Sequence, residues 1–183
     1  MNMWLENENI RLRALEPEDI DLLYAWENNT DLWTYGSSIS PFSRFALRQY
    51  ILDAQQQDIY QSRQLRLMIE TKDEKKKHIV VGAVDLYEYD PFNNRAGIGI
   101  LIDPASQGKK YAIQSLVLME EYAFDFLGIH QLFAYIAVSN EKSYNLFQNS
   151  GYQMVGTLKE WKREGDEYVD IYLMQLLRNG KSK

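Results

Sequence analysis

Apolar positions along the chain follow two periods, and the order in which they alternate lays out a mixed α and β fold. Ile10, Leu12 and Ala14 alternate with Arg11, Arg13 and Leu15, the period of a half-buried strand. Glu16-Pro17-Glu18-Asp19 places a proline and acids where a helix begins well; Leu22, Leu23 and Trp26 give that helix an apolar face, and Asn28-Asn29 ends it. Thr30 to Pro41 is rich in serine and aromatic residues, has no clean period and reads as a loop. A second helix is expected near Ser43 to Asp58, with Leu47, Tyr50 and Ile51 on one side. Leu65, Leu67 and Ile69 then alternate with Arg66, Met68 and Glu70 as a strand. Thr71 to Lys77 reads as a solvated charged turn, and His78 to Tyr89, with Val80, Val81, Ala83, Val84 and Leu86, forms the partner strand. Asp90-Pro91-Phe92-Asn93-Asn94 turns the chain back, so these strands make an antiparallel meander.

The centre of the chain is a strand, a glycine-containing loop and a long helix. Ala96 to Ile102 is the strand, stopped by Asp103-Pro104; after a loop, Ala112, Leu116, Met119, Ala123 and Phe126 recur at helical spacing as one apolar face. Gly128 suits a left-handed helix cap. Gln131 to Val138 is apolar on both faces, as a buried strand is, and lies beside Ala96–Ile102 after a right-handed crossover. Ser139 or Asn140 caps one more helix, Gly151 ends it, and Tyr152–Leu158 and Glu167–Leu177 form a last hairpin around Glu164-Gly165-Asp166. No internal repeat interrupts this order, so residues 1–178 read as a single domain and 179–183 as a loose tail.

Charge and composition narrow the chemistry. A net charge of −6 disfavours a nucleic-acid partner and fits a cationic substrate. The absence of cysteine excludes disulfides, thiolate metal sites and a cysteine acyl-enzyme, and His78 and His130 lie too far apart in sequence to point to zinc, so no metal is expected. No apolar run reaches the length of a membrane span and no signal-peptide core is seen, so a cytoplasmic protein without membrane contact is expected.

The loop before the long helix carries the sharpest signal. A helix N-terminus exposes backbone N–H groups and the positive end of the dipole, so Lys109 and Lys110 stand at the wrong end for cations unless an anion joins them. A phosphate would satisfy both the free donors and the lysines; a solvated loop with two exposed lysines is the alternative. Gln107-Gly108-Lys109-Lys110-Tyr111-Ala112 resembles the Q/R-x-x-G-x-G/A acyl-CoA loop of the GNAT N-acetyltransferase superfamily. Gln107 and Ala112 match, while Lys110 stands where the family usually has its first motif glycine. Downstream, Asn140 to Tyr152 resembles the family's N-x-x-S-x-x-L-(Y/F)-x-x-x-G-(F/Y) segment, and the likeness runs from about Ile10 to Leu177.

What the resemblance implies is a GNAT fold: an α+β, mostly antiparallel mixed sheet flanked by helices, with a splayed parallel strand pair holding acyl-CoA. It implies direct transfer of an acetyl group from acetyl-CoA to a primary amine, of a polyamine, another small amine or a protein N-terminus. By the same resemblance, backbone groups of Ile100, Leu101 and Ile102 hold the pantetheine arm and thioester, Gln107 to Ala112 (with Gly108, Lys109, Lys110 and Tyr111 between) wrap the pyrophosphate, and Asn140 and Lys142 meet the cofactor's other side. Lys110 is expected to keep a backbone conformation that non-glycine residues adopt. Trp33 and Tyr35 are candidate substrate-wall residues, with core caps as the alternative. The family's acid and base do not carry over: Phe147 replaces a common tyrosine and Gly97 a common glutamate. Asp85, acting through water, and Tyr144, one helical turn before Phe147, are the candidates for those roles; release of protons to solvent needs neither. Gly97 and Gly99 share a strand face and permit close approach of a backbone or ligand, or mark a bulge. A non-catalytic acyl-CoA-binding regulator and an interaction module without cofactor are the rival readings, and self-association into a homo-oligomer is left open.

Overall fold

Strand alternation sorts the apolar side chains onto two faces of one sheet, and helices cover both. The computed structural model describes residues 4–36, 38–72 and 77–178. Its strands are β1 (Ile10–Ala14), β2 (Leu65–Lys72), β3 (His78–Asp90), β4 (Arg95–Ile102), β5 (Gln131–Ala137), β6 (Gln153–Glu164) and β7 (Glu167–Leu177). Its helices are α1 (Ile20–Glu27), α2 (Thr30–Trp33), α3 (Arg44–Gln56), α4 (Ile59–Ser62), α5 (Tyr111–Glu121) and α6 (Glu141–Asn149). The sheet order is β1-β2-β3-β4-β5-β7-β6, and only β4 and β5 pair in parallel. This is the mixed, mostly antiparallel sheet that the sequence implied.

Leu67, Ile69, Val84, Leu86, Ile98, Leu132 and Met174 line one face with Leu116 and Met119 of α5 and Phe147 of α6. On the other face Met68 and Ala83 meet Leu23, Trp26, Leu47 and Ile51 of α1 and α3. Each such side chain, taken fully from water, contributes about 1.5–3 kcal/mol. Trp26 also donates its indole N–H to Asp103 at 2.9 Å, and Asp103 N–H bonds Val81 O at 2.9 Å. Those bonds tie α1 to the end of β4, where the loop toward α5 begins.

Three local expectations change. Thr30–Pro41 is not all loop: Asn29 accepts from Asp31 N–H at 3.0 Å and starts α2, which holds Trp33. The helix from Ser43 stops at Gln56, because Asp58 turns away to cap α4 by accepting from the N–H groups of Tyr60 and Gln61. Phe126 is off the apolar face and 62% exposed, since Tyr122–Phe126 winds as a π-helix and its wider turn shifts the phase. The turn at 73–76, Ser37 and the tail at 179–183 lie outside the described residues.

Arg13, Asp19 and Glu70 tie β1 to β2 and to the start of α1. Arg13 grips Asp19 through two bonds of 2.8 and 2.9 Å and reaches Glu70 at 3.1 Å; Arg11 and His78 also contact Glu70, at 2.5 and 3.0 Å. Burial alone would push the carboxyls of Asp19 and Glu70 up, but Arg13, with the Glu16 N–H for Asp19 and Arg11 for Glu70, holds both below their ordinary values. Groups depressed in the folded state stabilise it fully above their unfolded pKa, about 3.9 for Asp and 4.3 for Glu, and lose that contribution as pH falls through the folded value. Denaturant titrations should therefore show stability falling below about pH 4. Asp19→Asn should flatten that acid limb and cost, at neutral pH, the lower end of about 3–5 kcal/mol.

Candidate active site

Strands β4 and β5 hold together over Arg95↔Gln131, Ala96↔Leu132 and Gly97↔Phe133 and then part. Beyond the join β4 stays on β3 as far as Ile102↔Gly82, and β5 stays on β7 from Ala134↔Met174 to Ala137↔Ile171. Each strand thus keeps its outer partner and loses its inner one. The facing backbone groups of β4, from Ile98 through Ile100, Leu101 and Ile102, are left to meet something other than a strand. The edge expected at Ile100–Ile102 begins two residues nearer the join.

A helix starts on each side of this opening, and the two starts differ. Asn140 caps α6 by accepting from Ser143 N–H at 3.1 Å, with Lys142 exposed on the first turn. No side chain caps α5. Its first internal bond runs from Gln114 N–H to Lys110 O, so the N–H groups of Tyr111, Ala112 and Ile113 precede the helical ladder. Gly108 (φ 80°) and Lys110 (φ 62°) are both left-handed, which turns the loop around these donors. Lys110 therefore does not keep an ordinary non-glycine backbone: it adopts the conformation that the motif glycine adopts without penalty. Gln107 reaches back from its amide to Ile102 O at 3.4 Å. Beside the loop lies a cleft of about 720 Å³ whose lining mixes Lys72, Lys109 and Lys110 with Glu6, Glu8 and Glu70. The bare N–H donors at the start of α5, beside Lys109 and Lys110, suit a phosphate group.

The face bearing α1 and α3 carries the polar groups. Arg66 of β2 binds Asp85 of β3 through two bonds of 2.8 and 3.0 Å and Glu27 of α1 at 2.8 Å. Ser38 donates to the other Glu27 oxygen at 3.0 Å, and Arg66 lies 5.6 Å over the Tyr50 ring. Asp85 is thus a half-buried, fully paired carboxylate. Trp33 packs nearby and donates its indole N–H to Glu27 O at 2.7 Å, whereas Tyr35 is 64% exposed and joins no such cluster. Lys162 of β6 bonds Thr34 O and so fastens the hairpin to the segment after α2. Tyr144 packs against Tyr172, 5.2 Å between ring centres, and Phe147 is buried edge-on against Tyr152 at 4.9 Å. The space above Gly97 is filled by the Tyr87 ring, which the sequence reading passed over as one more strand residue. A tyrosine opposite a glycine in the neighbouring strand was the only signal available for it.

Comparison with known proteins identifies the architecture. The acetyltransferase (GNAT) domain family matches residues 9–153, and the chain belongs to it. Among its relatives is a spermidine N(1)-acetyltransferase of Vibrio cholerae, 27% identical over 173 residues that span 94% of this chain and 95% of the relative. The crystal structure of spermidine N-acetyltransferase from the same organism, in complex with CoA and spermine, superposes with a TM-score of 0.82 at 26% identity, covering 95% of this chain and 98% of that one. A dodecameric structure of that enzyme matches with a TM-score of 0.78 at 25% identity, over 94% of this chain and 96% of that one.

The left-handed lysine supplies a test of the loop. Lys110→Gly should raise unfolding free energy by up to about 1 kcal/mol as the backbone strain is removed. Lys110→Glu should leave the strain in place and weaken CoA binding more than Lys110→Gly does, read by calorimetric titration and denaturant unfolding side by side.

Proposed function

We propose that this chain transfers the acetyl group of acetyl-CoA to a primary amine of a polyamine, by direct attack within a ternary complex. The observation that carries this reading is the opening between β4 and β5 beside the uncapped start of α5. Such an opening accepts an extended pantetheine arm along the bare edge of β4, while the pyrophosphate meets the N–H groups of Tyr111, Ala112 and Ile113 and the charges of Lys109 and Lys110. Gln107 and Gly108 shape that turn, and Asn140 and Lys142 flank the arm from the start of α6. The Vibrio cholerae relative, crystallised with CoA and spermine, supports both the donor and a polyamine acceptor.

Glu27 and Asp85 bring two carboxylates to one guanidinium on the acceptor face, an excess of negative charge beside Trp33. Asp85 and Glu27, held by Arg66, attract the ammonium form of the acceptor; the amine then loses its proton to water as it reaches the thioester. Tyr35, out at the surface, is a contact for the acceptor's far end at most. Self-association belongs to the same reading: the edge strand β6 and its neighbour expose Val155, Trp161 and Tyr168, and the relative forms a dodecamer.

Saturating acetyl-CoA at about 100 times its dissociation constant should stabilise the fold by about 2.7 kcal/mol. Thiol release over an amine panel should then favour spermidine and spermine over monoamines. Glu27→Gln should raise the polyamine KM by up to about fivefold, by losing an ion pair worth up to about 1 kcal/mol, with little change in CoA affinity. No release with any polyamine from a protein that binds acetyl-CoA would overturn the acceptor assignment.

A further inference from the structure

We propose that Tyr87 donates the proton taken up by the departing thiolate of CoA, supplying from β3 the phenol that Phe147 lacks on α6. This rests on the acetyltransferase reading above.

The sheet is built to deliver this ring. Pairing of β3 with β4 runs regularly to Tyr87↔Gly97 and then slips, resuming at Asp90↔Arg95, and the extra residue in the bulge is accommodated by Glu88 at φ 49°. A non-glycine residue at positive φ next to the slip is the kind of local strain that re-aims a neighbouring side chain. The ring crosses β4 over its glycines. A Cβ at Gly97 would stand 2.2 Å from the Tyr87 ring, while at Gly99 it would make ordinary contact at 3.6 Å. Gly97 is therefore the socket for this ring, since any side chain there would collide with it. Phe133 of β5, the last residue joined to β4, holds the ring edge-on at 6.0 Å and 85°.

The hydroxyl ends where the strands part. The hydroxyl-bearing carbon of the ring lies 2.4 Å from where a Cβ at Gly97 would stand, and Gly97 is the last β4 residue paired with β5. The hydroxyl on that carbon therefore sits at the mouth of the opening between β4 and β5. Other candidates are held elsewhere: Asp85 is bound twice by Arg66, Tyr144 is packed on Tyr172, and Tyr152 is buried edge-on against Phe147. Burial, outweighing the Tyr135 N–H and aided by Glu88, Tyr135 and Asp85, pushes the Tyr87 phenol well up, so it stays protonated throughout the neutral range. The charged and titratable groups facing it are Asp85 and Glu88 on β3, Arg66 behind Asp85, Tyr135 on β5 and Tyr152; β4 presents Gly97 and Gly99, with Arg95 next along the same face.

The step balances. The neutral amine attacks the thioester carbon, a C–N bond forms, and the C–S bond breaks with its electron pair on sulfur. The Tyr87 O–H proton passes to that sulfur, and the phenolate recovers a proton from the acylated nitrogen through water. Amine and thioester become amide and thiol.

Tyr87→Phe keeps the ring over Gly97 and removes only the oxygen. It should lower kcat with acetyl-CoA and spermidine about 10–100-fold, while CoA affinity and melting temperature stay near wild type. Site-specific replacement of Tyr87 by difluorotyrosine, a more acidic phenol, should move the alkaline fall of kcat to lower pH; in the wild type that fall lies above the ordinary tyrosine range of about 10. A merely structural ring would leave that limb where it is. Wild-type turnover with a Tyr87→Phe kcat within about twofold of it overturns this inference and leaves the acetyltransferase reading intact. A kcat loss matched by an equal loss of CoA affinity also overturns it, making Tyr87 a wall of the cofactor cleft. Absence of wild-type turnover ends both readings.

Discussion

Everything about the site depends on the parallel pair β4 and β5 losing each other after three residues. An interior backbone edge without a partner is costly, since each N–H and C=O held from water needs a hydrogen bond. The fold tolerates it because each strand is fully supported on its far side, by β3 and by β7. The opening is thus part of a rigid sheet, and the loop and helix start beside it inherit that rigidity through Asp103, which is bonded both to β3 and to Trp26 of α1. An extended ligand binding there completes a hydrogen-bonding pattern that the sheet leaves unfinished.

The two faces of the sheet divide the labour by charge. The uncapped helix start and its lysines gather positive charge, and on the opposite face the carboxylates of Glu27 and Asp85 outnumber the one guanidinium between them. In a chain of net charge −6, the positive end is made from backbone geometry and two side chains, so overall charge says little about it.

Much of this was legible in the sequence. The strand periods, the glycine caps at Gly128 and Gly151, and the two motif segments all report on local backbone, and local backbone is what periodicity and turn chemistry encode. The parting of β4 and β5 was reached only through family resemblance, because no local pattern says when two distant strands stop pairing. Lys110 misled for a related reason: its left-handed conformation is imposed by the loop against the residue's own preference. Phe126 misled because a single wide turn changes the helical phase. At Gly97 the expectation was a backbone or ligand, or a bulge; the visitor is instead a side chain from the adjacent strand, identifiable only once the register is known.

That wide turn has a consequence for the whole sheet. In the segment Tyr122–Phe126 the Leu127 N–H bonds back to Tyr122 O, and Ile129 N–H reaches Ala123 O, so one surplus residue is absorbed before the chain leaves the helix. His130 N–H then meets Asn94 O, and Gln131 enters opposite Arg95. The segment acts as a vernier between a helix of fixed phase and a strand of fixed register. Without its extra residue, β5 would arrive one position out, and the side chains that now point to one face would point to the other. The inward Leu132 and Ala134 would change places with Phe133 and Tyr135, so a spacer at the end of the helix determines which side chains of β5 face the core.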